Sequence, residues 1–282
     1  MRIYIPSRSR AHITQTYVNL PPALQRRVLY VVPKSELKDY INAGFPAVSP
    51  PPSVDRIAVT RQWIVEYHLK HYTKVTDKLV MLDDDLRFYY RSTLQPNGFC
   101  GAMSGSNPNP QKVLDGFKHL EKLLDTYAHG GILIQLGANR YEDSPKPMLN
   151  SRVCRAIAFR ASILRKHWPL TKFGPVPVQD DFHATLTLMK LGYENAIVTE
   201  LTQEQTGGSG SAGGASTYRD MAYHAASVHT LKKLHPDFVK VVEKETKTAW
   251  KGEARIDVVI AWKKAIAHGI ERCGLQVVRK SK

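Results

Sequence analysis

Cysteine is scarce. Three residues in 282, at positions 100, 154 and 273, are odd in number, far apart and without metal-type spacing. They exclude a disulfide scaffold and a thiolate metal site, and they read as reduced thiols in a cytoplasm. No apolar run approaches the roughly 18 residues that a membrane span requires. The opening Met1-Arg-Ile-Tyr-Ile-Pro6 breaks off too early for a signal peptide. No membrane association is expected. Helix-turn-helix, zinc-finger and RNA-binding signatures are also missing, so sequence-specific readout is not implied. Nothing points to a protein partner. Negative charge is the other deficit: 25 Asp and Glu stand against 40 Lys and Arg, a net of +15. Such an excess is the footprint of a partner that carries phosphates, with ordinary solubility as the plain alternative. No arginine-rich tail or low-complexity block carries it, which favours a basic face on a folded chain.

The acid that remains is concentrated. Lys78-Leu-Val-Met-Leu-Asp83-Asp84-Asp85 runs four apolar residues into three carboxylates. The apolar run reads as a strand buried on both faces, as in a parallel sheet. Adjacent buried carboxylates without a basic partner are costly, so such a strand end suits a cation; a solvated turn or a helix cap is the bland reading. Other strands are expected at Arg2–Pro6, 28–32, 132–136, 155–160 and 194–201, with helices over 36–42, 54–72 and 111–127 and a short one over 161–167. A further helix is expected after Arg10, through Thr14 and Val18. This β/α alternation predicts a doubly wound α/β sheet with ligands at the carboxyl ends of its strands.

Several polar stretches fall where such a site would be. Pro6-Ser7-Arg8-Ser9-Arg10 fills a strand-to-helix turn, offering hydroxyls, guanidiniums and backbone N–H groups to an anion, though without a P-loop glycine pattern or lysine. Arg61 shares the apolar stripe of its helix with Ile57 and Ile64, so it needs an anionic partner: a diphosphate or one of Asp83 to Asp85. Asp180 and Asp181 open a helix; the dipole and capping favour them there, and a general base is the functional reading. After the last expected strand, a Gly- and Ser-rich stretch from Gln203 to Arg219 reads as a flexible spacer or as a hinged lid that brings Tyr218 and Arg219 to a substrate. From residue 229 onward the chain is expected to be helical and basic, over 238–250 and 256–270, with several of lysines 240, 244, 247, 251, 263 and 264 on a common face. That gives two units, 1–228 and a basic helical C-terminal extension, 229–282.

Taken together, Asp83-Asp84-Asp85, the opening turn, Gln179-Asp-Asp-Phe-His183, and Gln203-Glu-Gln-Thr-Gly207 with Ser216-Thr-Tyr-Arg219 resemble a GT-A-type glycosyltransferase. More narrowly, the chain is similar to the TET-associated glycosyltransferases of bacteriophages, which glycosylate 5-hydroxymethylcytosine in DNA. The resemblance implies a GT-A-like, Rossmann-like, mostly parallel sheet flanked by helices. It implies a UDP-sugar donor and a divalent metal, Mn2+ or Mg2+, held by Asp83 and Asp85, with His224 where many GT-A enzymes place a third ligand. Pro6, Ser7, Arg8, Arg10, Arg61, Asp84, Tyr218 and Arg219 would bind the donor. Asp181, with Asp180 next, would be the base that activates the acceptor hydroxyl. DNA would lie on the basic surface, with Phe88, Tyr89 and Tyr141 placed to stack on an extruded base. If phage-encoded, the protein would work in the host cytoplasm. Competing readings are a GT-A enzyme with a polysaccharide, lipid or protein acceptor, a metal-dependent nuclease or nucleotidyltransferase, and a non-catalytic DNA-binding protein.

Overall fold

The computed structural model describes residues 1–13, 15–74, 76–91, 99–101, 109–135, 146–205, 213–245 and 254–274. The N-terminal half follows the expected rhythm: β1 (Arg2–Pro6), α1 (Pro22–Gln25), β2 (Val28–Val31), α2 (Leu37–Asn42), β3 (Ala47–Val48), α3 (Ile57–His71) and β4 (Lys78–Leu82). Then come β5 (Leu86–Arg91), β6 (Phe99–Gly101), α4 (Pro110–Leu123), β7 (His129–Ile134), β8 (Met148–Leu149), β9 (Ala156–Arg160), α5 (Ala161–His167), α6 (Asp180–Lys190) and β10 (Asn195–Gln205). Ten strands make one sheet, in the order β3-β2-β1-β4-β9-β7-β10-β5-β6, with β8 on β10. β1, β2, β3, β4, β6, β7 and β10 run one way; β5, β8 and β9 run the other. This is the mostly parallel α/β sheet, flanked by helices, that the family resemblance implies.

Its central strands are apolar throughout because both faces are covered. Ile3, Ile5, Val80 and Leu82 pack on one side with Phe117 and Leu120 of α4. Tyr4, Leu79 and Met81 pack on the other with Ile64 of α3, Leu164 of α5 and Leu188 of α6. The parallel strands β1 and β4 lie side by side in register, Ile3 against Val80, so their carboxyl ends present Pro6-Ser7 and Asp83 together. No helix among the described residues is long and apolar enough to cross a membrane.

Two expectations fail. After Arg10 the chain makes turns rather than a helix, because the N–H groups of Gln15 and Thr16 are drawn to the Asp84 carbonyl, at 3.0 and 3.1 Å. The C-terminal part is not all helical either: after α7 (Met221–Leu234) come β11 (Val239–Lys244), β12 (Arg255–Ile260) and only then α8 (Trp262–Arg272). Within the helices expected over 238–250 and 256–270, residues 239–244 pair antiparallel with 255–260 as a hairpin, and 246–250 lie outside the described residues. Lys240 and Lys244 therefore sit on a strand and Lys263 and Lys264 on α8, while 247 and 251 lie outside the described residues. The reason is composition: Val239, Val241, Val242, Ile256, Val258, Val259 and Ile260 are β-branched and fit a pleated, half-buried surface.

This C-terminal part shares a core with the sheet domain. Val228, Leu231, Val239, Val258 and Ile266 pack against Phe182, Leu186 and Met189 of α6. α8 meets α6 closely at Gly269, where a Cβ would overlap the Met189 carbonyl oxygen and stand 2.6 Å from the Gly192 nitrogen. Gly269→Ala is expected to destabilise the protein by about 1–3 kcal/mol, the usual cost of overpacking. A thermal melt checks it: a midpoint several degrees lower fits a rigid α6–α8 contact, and an unchanged midpoint contradicts it.

Candidate active site

The three carboxylates after β4 have three different fates. Asp84 turns inward and is buried; Ser7 Oγ donates to one oxygen and Arg10 Nη1 to the other. Ser7 also bonds the Tyr40 hydroxyl at 2.6 Å, so Asp84 fixes the opening turn from below. Burial pushes its pKa up to about 6, against the pull of Arg10 and Ser7. Asp85 takes Arg10 Nη1 at 3.0 Å and the Gln205 amide at 3.0 Å, both on Oδ2. Its Oδ1 is buried with no hydrogen-bond partner among the described residues. Burial, then the charge of Asp83, raises its pKa. Asp83 is the most exposed of the three and receives Arg61 Nη2 on Oδ1 at 2.8 Å.

α6 brings the second acidic pair. Gln179 precedes it with φ +67°, in the left-handed region, and this sharp entry aims the first turn of the helix at the strand ends. Asp180 is buried and receives Arg61 Nη1 on both oxygens, at 3.0 and 2.9 Å. Arg61 thus ties Asp83, after β4, to Asp180 on α6. Burial works against the guanidinium charge, but Asp180, Asp83 and Asp181 more than offset it and raise its pKa. Asp181 has no guanidinium hydrogen-bonded to it among the described residues. Burial and then the charge of Asp180 push its carboxyl up to about 6, while Oδ1 accepts the Phe182 N–H at 2.9 Å.

All of these groups face one cavity of about 530 Å3. Pro6, Ser7, Arg8, Arg10, Arg61, Asp83, Asp84, Asp85, Asp180, Asp181, Tyr218, Arg219 and His224 all line it, so the donor, metal and base candidates named from sequence converge there. The Tyr218 hydroxyl accepts the Ile57 N–H at 2.9 Å, at the start of α3, and Arg56 lies 4.3 Å over its ring. The stretch expected as a lid lies partly outside the described residues, at 206–212; its end, Gly213 to Thr217, docks on the opening turn through Arg10 to the Gly213 carbonyl and Gly214 N–H to Arg8. His224 is buried on α7, and burial, then the charge of Arg255, lowers its pKa. Among the described residues no three His, Cys, Asp or Glu side chains are placed to hold a metal ion. Phe88 is core, edge-on to Phe117, and is not available to a base; Tyr141 lies outside the described residues.

Sequence reading missed part of the wall. Arg152, Arg155 and Gln205 line the cavity, as do Lys244, Arg255, Asp257 and Trp262 from the C-terminal hairpin and α8. Gln205 lay inside a stretch already marked as polar; the hairpin residues had a signal only in the β-branched pattern around them.

The family model described as TET-Associated Glycosyltransferase matches residues 1–214. No curated protein matches the chain. Among solved structures, the chain is similar to glucosyl-3-phosphoglycerate synthase from Mycobacterium tuberculosis in complex with Mg2+ and UDP: 12% identity, TM-score 0.48, over 92% of this chain and 86% of that one. The same enzyme with Mn2+, UDP and glucosyl-3-phosphoglycerate gives the same four values. CMP:2-keto-3-deoxy-manno-octonic acid synthetase with CTP matches at 14% identity and TM-score 0.37, over 70% of this chain and 88% of that one.

The buried Asp181 makes a stability prediction. Its folded pKa, about 6, lies above the ordinary carboxylate value, so the folded state binds its proton more tightly than the unfolded chain does. The contribution is therefore present below about pH 4 and lost as pH rises through 6. Asp181→Asn keeps the shape and removes the charge. Denaturant midpoints at pH 4 and pH 8 are expected to show the variant gaining on the wild type at pH 8, on the order of 1–3 kcal/mol, with little difference at pH 4. An equal effect at both would contradict the buried charge.

Proposed function

The chain belongs to the TET-associated glycosyltransferase family, and we propose that it moves a sugar from a UDP-sugar to the hydroxymethyl group of 5-hydroxymethylcytosine in DNA. The observation that carries the reading is the convergence of two acidic pairs, Asp83 with Asp85 and Asp180 with Asp181, and of Arg8, Arg10 and Arg61 on one cavity. The net charge of +15 supports an acceptor that carries phosphates.

The residues fit a divalent metal. Asp83 and Asp85 are hard oxygen donors, close enough for the charge of Asp83 to raise the Asp85 pKa, and Asp85 Oδ1, without a hydrogen-bond partner among the described residues, is a buried acceptor in want of a cation. Two carboxylates, with substrate phosphates and water completing the shell, are a common Mg2+ arrangement. When bound, such an ion neutralises charge that develops on a leaving diphosphate. The protein's own cations do the same work: Arg8 and Arg10 flank the turn at the strand ends, and Arg219 enters beside Tyr218. Arg61 and Arg10 are already committed to carboxylates, so they set the position of the acidic groups as well as the local charge.

Asp181 is the base. It is the carboxylate of the second pair without a guanidinium bonded to it, and a pKa near 6 leaves it ionised yet basic at neutral pH. It would take the proton of the acceptor hydroxyl as that oxygen attacks the sugar carbon, which goes with inversion. Asp180 holds Arg61 and positions the helix turn.

The test is direct. The protein is incubated with Mn2+, a panel of UDP-sugars and DNA containing 5-hydroxymethylcytosine, and the digested nucleosides are weighed by mass spectrometry. A hexose-sized gain on the modified cytosine is expected, lost with Asp83→Ala and reduced about 10²–10⁴-fold with Asp181→Asn. UDP-sugar hydrolysis without transfer would move the acceptor elsewhere, and neither product nor hydrolysis would contradict the reading.

A further inference from the structure

The C-terminal hairpin lies beyond residues 1–214, which the family model matches, yet it walls the cavity that contains Asp181. Its central group is Asp257, which is buried. Oδ2 receives Arg255 Nη2 at 3.0 Å and Lys244 Nζ at 3.2 Å. Oδ1 receives the Val258 N–H at 2.8 Å and the Gln179 amide at 3.4 Å. Burial opposes the charge of Asp257, but these donors outweigh it and hold the carboxyl below its usual range. One carboxylate thus orients two cations and links the hairpin to the left-handed entry of α6.

The balance of charge there is positive. Asp257 supplies one negative charge to Lys244 and Arg255, and Arg219 stands close enough to Arg255 for the two like charges to be felt: burial, then Arg255, lowers the Arg219 pKa. The Arg255 side chain lines the cavity and is partly exposed, with Nη2 on Asp257, so the rest of the guanidinium edge can meet a ligand. Beside it the wall is aromatic. Trp262 meets Phe182 edge-on at 5.6 Å, Arg152 lies 4.7 Å over the Phe182 ring, and Phe182 directly follows Asp181. A surplus cation next to a flat apolar surface suits a nucleotide: phosphate on the one, base on the other.

We propose that Arg255, held by Asp257, is the acceptor subsite, binding a backbone phosphate of the DNA strand whose modified base lies against Trp262, the half-buried aromatic of the wall. The inference rests on the glycosyltransferase reading above. It assigns Arg255 to substrate binding and Asp257 to positioning. A phosphate contact fixes the strand without reading its sequence, in keeping with the lack of readout motifs.

Equilibrium binding tests it. The full chain, with UDP and Mn2+ present, is titrated with a short single-stranded oligodeoxynucleotide at several salt concentrations. Arg255→Met is expected to weaken binding about tenfold and to reduce the salt slope by about one phosphate contact. Arg255→Lys keeps most of the affinity, and UDP affinity is unchanged in both. Arg255→Gln serves as a second variant if the methionine form melts early. In steady state, Asp257→Asn raises KM for DNA and leaves kcat and the donor KM near wild type. Oligonucleotide binding with unchanged affinity and slope overturns the subsite, and so does a loss of UDP affinity in folded variants. Arg255-dependent oligonucleotide binding by a wild type that transfers no sugar would support the subsite and sink the transferase reading instead.

Discussion

Arg61 holds one guanidinium between two carboxylates that come from distant parts of the chain, Asp83 after β4 and Asp180 at the head of α6. Each alone would be a liability. A buried arginine on the apolar stripe of α3 needs anions, and Asp180 is too deeply buried to stay ionised without a cation. Together they are stable, and they fix a distance: the end of the central strand and the start of α6 are set relative to each other through one planar group. The Arg10 cluster repeats the device one turn away, tying Asp84 and Asp85 to the loop after β1. Among the described residues the two arginines leave Asp85 Oδ1 without a hydrogen-bond partner, Asp83 partly open and Asp181 with no arginine bonded to it, which suits the proposed function.

Backbone strain gathers at the same place. Ser9, Arg155 and Gln179 adopt positive φ without being glycine. Such conformations cost about 1–3 kcal/mol each and persist only when their surroundings over-determine them. Ser9 sits between the two turn arginines, its N–H on Glu36 at 2.6 Å. The Arg155 carbonyl accepts the Asp83 N–H at 2.8 Å, so its twist places the carboxylate strand end. Gln179 is braced by Asp257 of the hairpin. The C-terminal module therefore supports the entry to α6 from behind and walls the cavity from the side, which is why its core is continuous with that helix.

Legibility in the sequence followed physical range. The strands β1, β2, β4 and β7 were visible as branched apolar runs, and α3 and α6 as helical periodicity, because these patterns are local. The acidic elements were visible because clustered carboxylates after an apolar strand are chemically conspicuous, and Arg61 because a cation on an apolar stripe demands a partner. Its partner Asp180, 119 residues away, was not readable, since only the folded sheet brings them together. The same holds for Asp257, which looks like a surface residue until β11 and β12 pair. The hairpin was misread for a different reason: lysines spaced by three and four suggested a helical face, while Val and Ile at neighbouring positions carried the β preference that prevailed. The turns after Arg10 depend on the Asp84 carbonyl, a contact across about 70 residues that propensity cannot anticipate.

In the proposed function the two arginine clusters leave Asp83 and Asp85 to hold a divalent cation, which would help to bind the donor diphosphate. Calorimetric titration of the protein with UDP, once with Mn2+ and once with a chelator, measures this without any acceptor. The account predicts clear binding with the metal and a loss of at least tenfold in affinity without it, with Asp85→Asn behaving under both conditions like the chelated wild type. Equal UDP affinity with and without metal would contradict it, and so would metal-dependent binding that Asp85→Asn leaves intact.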